Sequence, residues 1–169
     1  MDSAVTIRPA GAEDILTIGV LANQIWPDTY GHILSAVQLQ YMLQLIYSPA
    51  SLTKQMSELH HQFLMLELEK LPVGFASFSA TAEPGVYKLQ KIYVRTDIQG
   101  KGLGKALIDA VIASIKPLQA TALRLNVNRH NKAISFYEKF GFAIIGEEDI
   151  DIGNGYFMND YVMEKVLGS

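Results

Sequence analysis

The sequence predicts an α/β fold, mostly antiparallel in its first part and built on crossover helices later. Three observations carry this. Apolar residues recur at intervals of two in some segments and of three and four in others, so strands and helices are both expected. The segments follow the order strand, helices, three strands, helix, strand, helix, two strands. No repeat, linker or low-complexity stretch divides the 169 residues, 49% of them hydrophobic, which suits one compact domain over 1–169.

Val5 and Ile7 begin a short first strand that Pro9 is expected to stop. Ile15, Ile18, Leu21, Ala22 and Ile25 fall at helical spacing and predict a helix over 14–25. Trp26-Pro27-Asp28-Thr29-Tyr30-Gly31 should then break it. Two further helical runs cover 39–46 and 51–59. Strands over 63–68 and 73–78 flank a hairpin turn at Glu69-Lys70-Leu71-Pro72, and Glu83-Pro84-Gly85 turns the chain into a strand over 86–94. Leu103, Ala106, Leu107, Ala110, Val111 and Ile115 mark the clearest helix, ended by Pro117. Leu123, Leu125 and Val127 alternate with Arg124, Asn126 and Asn128 in a half-buried strand. Ala133, Phe136, Tyr137 and Phe140 form another helical stripe, closed by Gly141. Strands over 142–145 and 156–166, joined by Gly153-Asn154-Gly155, complete the chain.

Composition removes several function classes. With no cysteine, disulfides, thiolate metal sites and thiol nucleophiles are excluded. His60 and His61 show no ligand spacing with other donors, so no metal is expected. The net charge of -3 lacks the basic footprint of nucleic-acid binding and is mildly compatible with a cationic small molecule. The first residues lack the order of a signal peptide, and no apolar run is long enough to cross a membrane. A cytoplasmic protein with neither a nucleic-acid nor a membrane partner is the resulting expectation.

Gln99-Gly100-Lys101-Gly102-Leu103-Gly104 lies between a predicted strand and a predicted helix. Glycines let a backbone approach a ligand, and a helix start offers unpaired N–H groups with a partial positive charge. Together they suit a phosphate, without need of a metal. The nucleotide-triphosphate loop does not fit, because the spacing from Gly100 is one residue short and Ala106 follows Lys105. The dinucleotide fingerprint fails as well: its third glycine comes one place early and no acid stands within 119–126. Taken alone, the segment can equally be a tight turn that lets the helix pack on the strand.

A second segment changes that balance. Gln99-x-x-Gly102-x-Gly104 resembles the acyl-coenzyme A signature of the GNAT acetyltransferases, and the stretch 128–142 is similar to that family's second hallmark. There Asn131 is followed by Ala133, Phe136-Tyr137 and Gly141-Phe142, in the right order and at the right spacing. Within the superfamily, 87–104 and 155–165 look closest to bacterial polyamine and diamine acetyltransferases. The resemblance implies a GNAT-like acyltransferase fold: a mixed, mostly antiparallel sheet of about seven strands, helices on both faces and splayed central strands. It implies acetyl-coenzyme A as acyl donor and no metal. The main chain at Ile92, Tyr93 and Val94 would pair with the pantetheine arm. The amides from Gln99 through Gly100, Lys101, Gly102 and Leu103 to Gly104 would cradle the pyrophosphate. Asn131 would bond the pantetheine, while Lys105 and Lys139, like Lys101, could meet outer phosphates or stand as solvated surface charges.

By the same resemblance Tyr137 is the acid for the leaving thiolate, or chiefly orients the sulfur. A phenol near ~10 and a thiol near ~8.5 leave that transfer roughly 2 kcal/mol uphill. The acceptor amine, near ~10.4, must lose a proton, yet the strand over 86–94 carries no acid where many relatives have one. Tyr30 and His32 are candidates for lining the acceptor pocket. Asp149, Asp151, Asp160 and Glu164 could attract a cation but read first as solvated charges. The expected activity is transfer of an acetyl group to a primary amine, a small one such as a polyamine. A protein N-terminus or lysine as acceptor, and a coenzyme A sensor without catalysis, remain as alternatives, and there is room for a homodimer.

Overall fold

The computed structural model describes residues 4–98 and 102–168. Strand β1 (Val5–Ala10) leads through a short turn into helix α1 (Ile15–Tyr30), followed by α2 (Ala36–Tyr47) and α3 (Pro49–Ser57). Strands β2 (Gln62–Leu68), β3 (Leu71–Ala80) and β4 (Val86–Val94) come next, then α4 (Leu103–Ile115), β5 (Ala122–Asn128) and α5 (Ala133–Lys139). The hairpin of β6 (Ala143–Gly153) and β7 (Tyr156–Val166) ends the chain. The seven strands are ordered β1-β2-β3-β4-β5-β7-β6. The pairs β1/β2, β2/β3, β5/β7 and β6/β7 are antiparallel, and β4/β5 is parallel. The mixed, mostly antiparallel sheet with five helices agrees with the expected fold class.

The chain divides into two compact units, one of Met1–Ser79 with Gln90–Val111 and one of Ala80–Leu89 with Ile112–Ser169. In the first, Ile18, Ile25, Leu52, Met65, Leu66, Phe75, Phe78 and Leu107 are buried, the alternating and helical apolar positions of their elements. In the second, Leu123, Leu125 and Val127 of β5 are buried with Met163 and Phe142. Their neighbours Arg124, Asn126 and Asn128 point to the other, polar face. The parallel register of β4 with β5 runs from Val86↔Ala122 to Leu89↔Leu125.

Four boundaries depart from the sequence reading, each for a physical reason. Pro9 does not stop β1; it lies within the strand opposite Leu64, and β1 is an edge strand, where a missing N–H is tolerated. The segment from Trp26 does not break α1, which continues through Pro27 to Tyr30. An interior proline costs about 3 kcal/mol. The buried side chains of Ile25 and Trp26 offset it, and Gly31 N–H closes the last turn on the Pro27 carbonyl at 2.9 Å. The hairpin after β2 turns on Glu69 and Lys70 alone, both at positive φ (51° and 70°), so Leu71 and Pro72 belong to β3. Finally, β6 begins at Ala143 and runs to Gly153, well past 142–145. Its continuation carries Glu147, Glu148, Asp149 and Asp151, charges that suit an exposed edge but hide the apolar alternation of a strand.

Candidate active site

In the first unit the C-terminal half of β4 and the start of α4 bring the expected coenzyme residues into sequence. Ile92, Tyr93 and Val94 end the strand, with Tyr93 half-buried. A close approach fixes this strand end: a Cβ on Gly74 would stand 2.6 Å from the Tyr93 carbonyl oxygen. The turn that follows is braced by Arg95, whose guanidinium holds the Asp97 carboxylate at 2.6 and 3.0 Å and keeps it below the usual carboxylate range. Thr96 donates to Asp28 on α1 at 2.7 Å. Gln99, Gly100 and Lys101 lie outside the described residues.

Gly102 is described, and it has the backbone that the sequence argument requires. Its φ is +72°, in the left-handed region, and an added Cβ would meet nothing within 4 Å. Its carbonyl accepts the Ala106 N–H at 3.0 Å and so opens α4. A helix of this length leaves first-turn N–H groups without intrahelical acceptors and places positive potential there. Open space beside a glycine and the amides of Leu103 and Gly104 suit a diphosphate. Lys105 is exposed and lies 3.4 Å from Asp109 one turn on.

Tyr30, at the end of α1, reaches Tyr93: their hydroxyls are 2.9 Å apart. Trp26 stacks against both rings, at 4.6 Å from Tyr30 and 5.9 Å from Tyr93, and Tyr47 and Phe75 extend the aromatic wall. The Tyr47 hydroxyl is pushed well above its ordinary pKa by burial, an effect larger than the influence of Trp26 that favours ionisation. His32, in the turn after α1, is exposed. Lys91 had drawn no attention in the sequence, yet its side chain is buried. Its ammonium donates to Gln55 Oε1 at 2.6 Å and lies over the Tyr47 and Phe63 rings, while Gln55 Nε2 donates to the Ile46 carbonyl at 2.8 Å. The period of two along β4 puts Lys91 and Tyr93 on one face, a signal legible in the sequence.

The second unit holds the other expected residues. Asn131 Oδ1 accepts the Ala133 N–H at 2.8 Å and fixes the first turn of α5. Tyr137 is buried, its ring set edge-on to Phe136 at 5.4 Å and Phe142 at 5.8 Å. Lys139 is exposed on the last turn of α5. The residue whose environment the sequence reading misjudged here is Asp160, named as a cation candidate but read first as solvated. It is not a solvated charge: it is 2% exposed, and desolvation raises its pKa despite a hydrogen bond from Asn126 and the nearby charges of Lys88 and Arg129. Its strand pattern gave no warning, because an acid at an alternating position reads as solvent-facing. Glu164, by contrast, is paired with Arg124 at 2.6 Å. Among the described residues no group of three or more acidic, histidine or cysteine side chains is placed to hold a metal, and no helix is long and apolar enough to cross a membrane.

Comparison with known proteins follows from this geometry. A sequence model of the acetyltransferase (GNAT) domain matches residues 34–164. The chain is 28% identical over 167 residues to a spermidine N(1)-acetyltransferase of Thermoplasma acidophilum, covering 96% of this chain and 97% of the relative. It is 32% identical over 103 residues to a probable spermine N(1)-acetyltransferase of Bacillus subtilis subsp. natto, covering 56% of this chain and 63% of that one. Among solved structures, the PaiA N-acetyltransferase of T. acidophilum in complex with coenzyme A superposes with a TM-score of 0.81 at 27% identity, over 97% of this chain and 99% of the other.

Proposed function

We propose a polyamine as the acceptor from the premise that the chain belongs to the GNAT acetyltransferase family and is an acetyl-coenzyme A-dependent N-acetyltransferase. The observation that carries the proposal is similarity over nearly the whole chain to a spermidine N(1)-acetyltransferase. A net charge of -3 agrees with a cationic acceptor.

In this reading acetyl-coenzyme A supplies an activated thioester carbonyl. The chain's own residues bind, orient and hold protons around it. The amides of Gly102, Leu103 and Gly104 hold the pyrophosphate, together with those of 99–101, and the main chain at 92–94 lies along the pantetheine arm. Lys105 and Lys139 reach outer phosphates from exposed positions. Asn131 donates its side-chain N–H to the pantetheine, its oxygen being committed to α5. Tyr137 offers its hydroxyl proton toward the sulfur. The acceptor lies along Tyr30 and His32, where paired hydroxyls and ring faces suit an alkylamine.

Release of free thiol tests the proposal, with acetyl-coenzyme A as donor and spermidine, spermine and putrescine set beside a peptide panel and other small amines. The expected result is turnover of at least one polyamine above every peptide. Turnover confined to peptides would move the acceptor to a protein N-terminus or lysine. Tight coenzyme binding with no transfer to any acceptor would leave a sensor.

A further inference from the structure

A glycine inside a buried strand forgoes side-chain packing, so its presence calls for a reason in backbone conformation or in space. Gly74 is buried near the start of β3, directly opposite Leu66 of β2. Its φ lies outside the left-handed region, so conformation is not that reason. Space is. A Cβ would stand 2.6 Å from the Tyr93 carbonyl oxygen and 3.2 Å from the Val94 Cα, both main-chain atoms of β4, and 3.2 Å from Leu66 Cδ2. A leucine side chain can turn aside, whereas the main chain of a packed strand moves only with the strand.

The strand around Gly74 is shaped for this approach. Leu66 faces Gly74 while Glu67 faces Pro72, so β3 carries a bulge in which Val73 is the additional residue. A bulge bends its strand and re-aims what lies beside it. The Val73 carbonyl accepts the Arg95 N–H at 2.8 Å, one residue past the end of β4. Bulge and glycine together bring β3 against the peptide between Tyr93 and Val94. That peptide belongs to the segment 92–94, which the reading above lays along the pantetheine arm. Gly74, this segment and the start of α4 all belong to the first compact unit.

We propose that Gly74 is a positioning residue for the acyl donor: by leaving its Cβ space to the Tyr93 carbonyl, it sets the tilt of the 93–94 peptide that pairs with the pantetheine arm. A methyl group at that point must displace the carbonyl, and a hydrogen-bonding group moved by about 1 Å loses the geometry of its bond. The diphosphate is held further along the chain, at 102–104, so the effect falls on one half of the donor. The inference rests on the donor reading given above.

The test measures, by calorimetry on the full chain, affinity for acetyl-coenzyme A and for adenosine 3′-phosphate 5′-diphosphate. The latter is the coenzyme fragment that keeps the diphosphate and lacks the pantetheine arm. Gly74→Ala is expected to weaken acetyl-coenzyme A about tenfold, the scale of one or two lost hydrogen bonds, and to leave the fragment within about twofold. Gly102→Asp, by contrast, should weaken both. Equal losses for the two ligands in Gly74→Ala, or no loss, overturn this inference alone when Gly102→Asp behaves as expected. A Gly102→Asp variant that binds both ligands as the wild type does overturns the donor reading, and this inference with it. Thermal melting checks that Gly74→Ala is folded; if it is not, Gly74→Ala with Leu66→Val, which opens room toward β2, carries the comparison. If neither variant folds, Gly74 is a requirement of the fold and the inference is overturned.

Discussion

Tyr137 stands where a local motif and a tertiary environment meet. Its place in Phe136-Tyr137 could be read from the sequence because the spacing to Asn131 and Gly141 is local, but its burial against Phe142 could not. Tyr137→Phe keeps that packing and removes one hydroxyl, so it should lower kcat by about a hundredfold or more, the scale of a lost general acid, while leaving coenzyme affinity within about twofold. Unchanged kcat across pH would return Tyr137 to the core. Lys91, Tyr93 and Asp160 show the opposite case. Each sits at a strand position of ordinary appearance, and its role depends on residues far along the chain: Gln55 for Lys91, Tyr30 for Tyr93, Asn126 for Asp160. Sequence periodicity gives the face of a strand; it does not give what lies opposite.

Helix α4 shows how an element can be legible before its contacts are. Its range, 103–115, follows from apolar spacing and Pro117, and its entry at Gly102 follows from the need for a left-handed residue. Gly102→Ala should be tolerated, at about 1–2 kcal/mol for a Cβ in that backbone region, since no atom stands in its way. Gly102→Asp adds a negative charge where a diphosphate is expected, and should weaken acetyl-coenzyme A binding by more than about tenfold by calorimetry. Equal affinity in the aspartate variant would place the diphosphate elsewhere. The elements misjudged from sequence, α1 past Pro27 and β6 past Ile145, were misjudged because packing overrode a local rule. Buried Trp26 holds the proline turn, and pairing with β7 carries the charged run of β6.

Across the whole molecule, two buried carboxylates make opposite contributions to stability as pH changes. Asp14 accepts two hydrogen bonds from Arg8, at 2.8 and 3.1 Å, and one from Gly11 N–H at 2.9 Å, and its pKa is lowered mainly by Arg8. Its stabilisation is therefore present above the unfolded carboxylate pKa near ~3.9 and lost as pH falls through the lower folded value. Asp160 has a raised pKa, so its relative stabilisation is full below ~3.9 and lost as pH rises through the folded value. Denaturant unfolding should show Asp14→Asn destabilised by about 1–2 kcal/mol at neutral pH, with the gap closing in acid. A gap that persists below the folded pKa would mean that Asp14 acts by shape and not by charge. The order of the elements and the family were readable from the sequence because strands, helices and both motifs are contiguous segments. The pairings of Tyr30 with Tyr93 and of Lys91 with Gln55 were not, because each joins residues of separate elements. The most direct test of the central claim, that the start of α4 grips the donor, is a crystal structure with acetyl-coenzyme A. The expected result places pyrophosphate oxygens within hydrogen-bonding distance of the N–H groups of Gly102, Leu103 and Gly104. A donor bound away from that turn would contradict it.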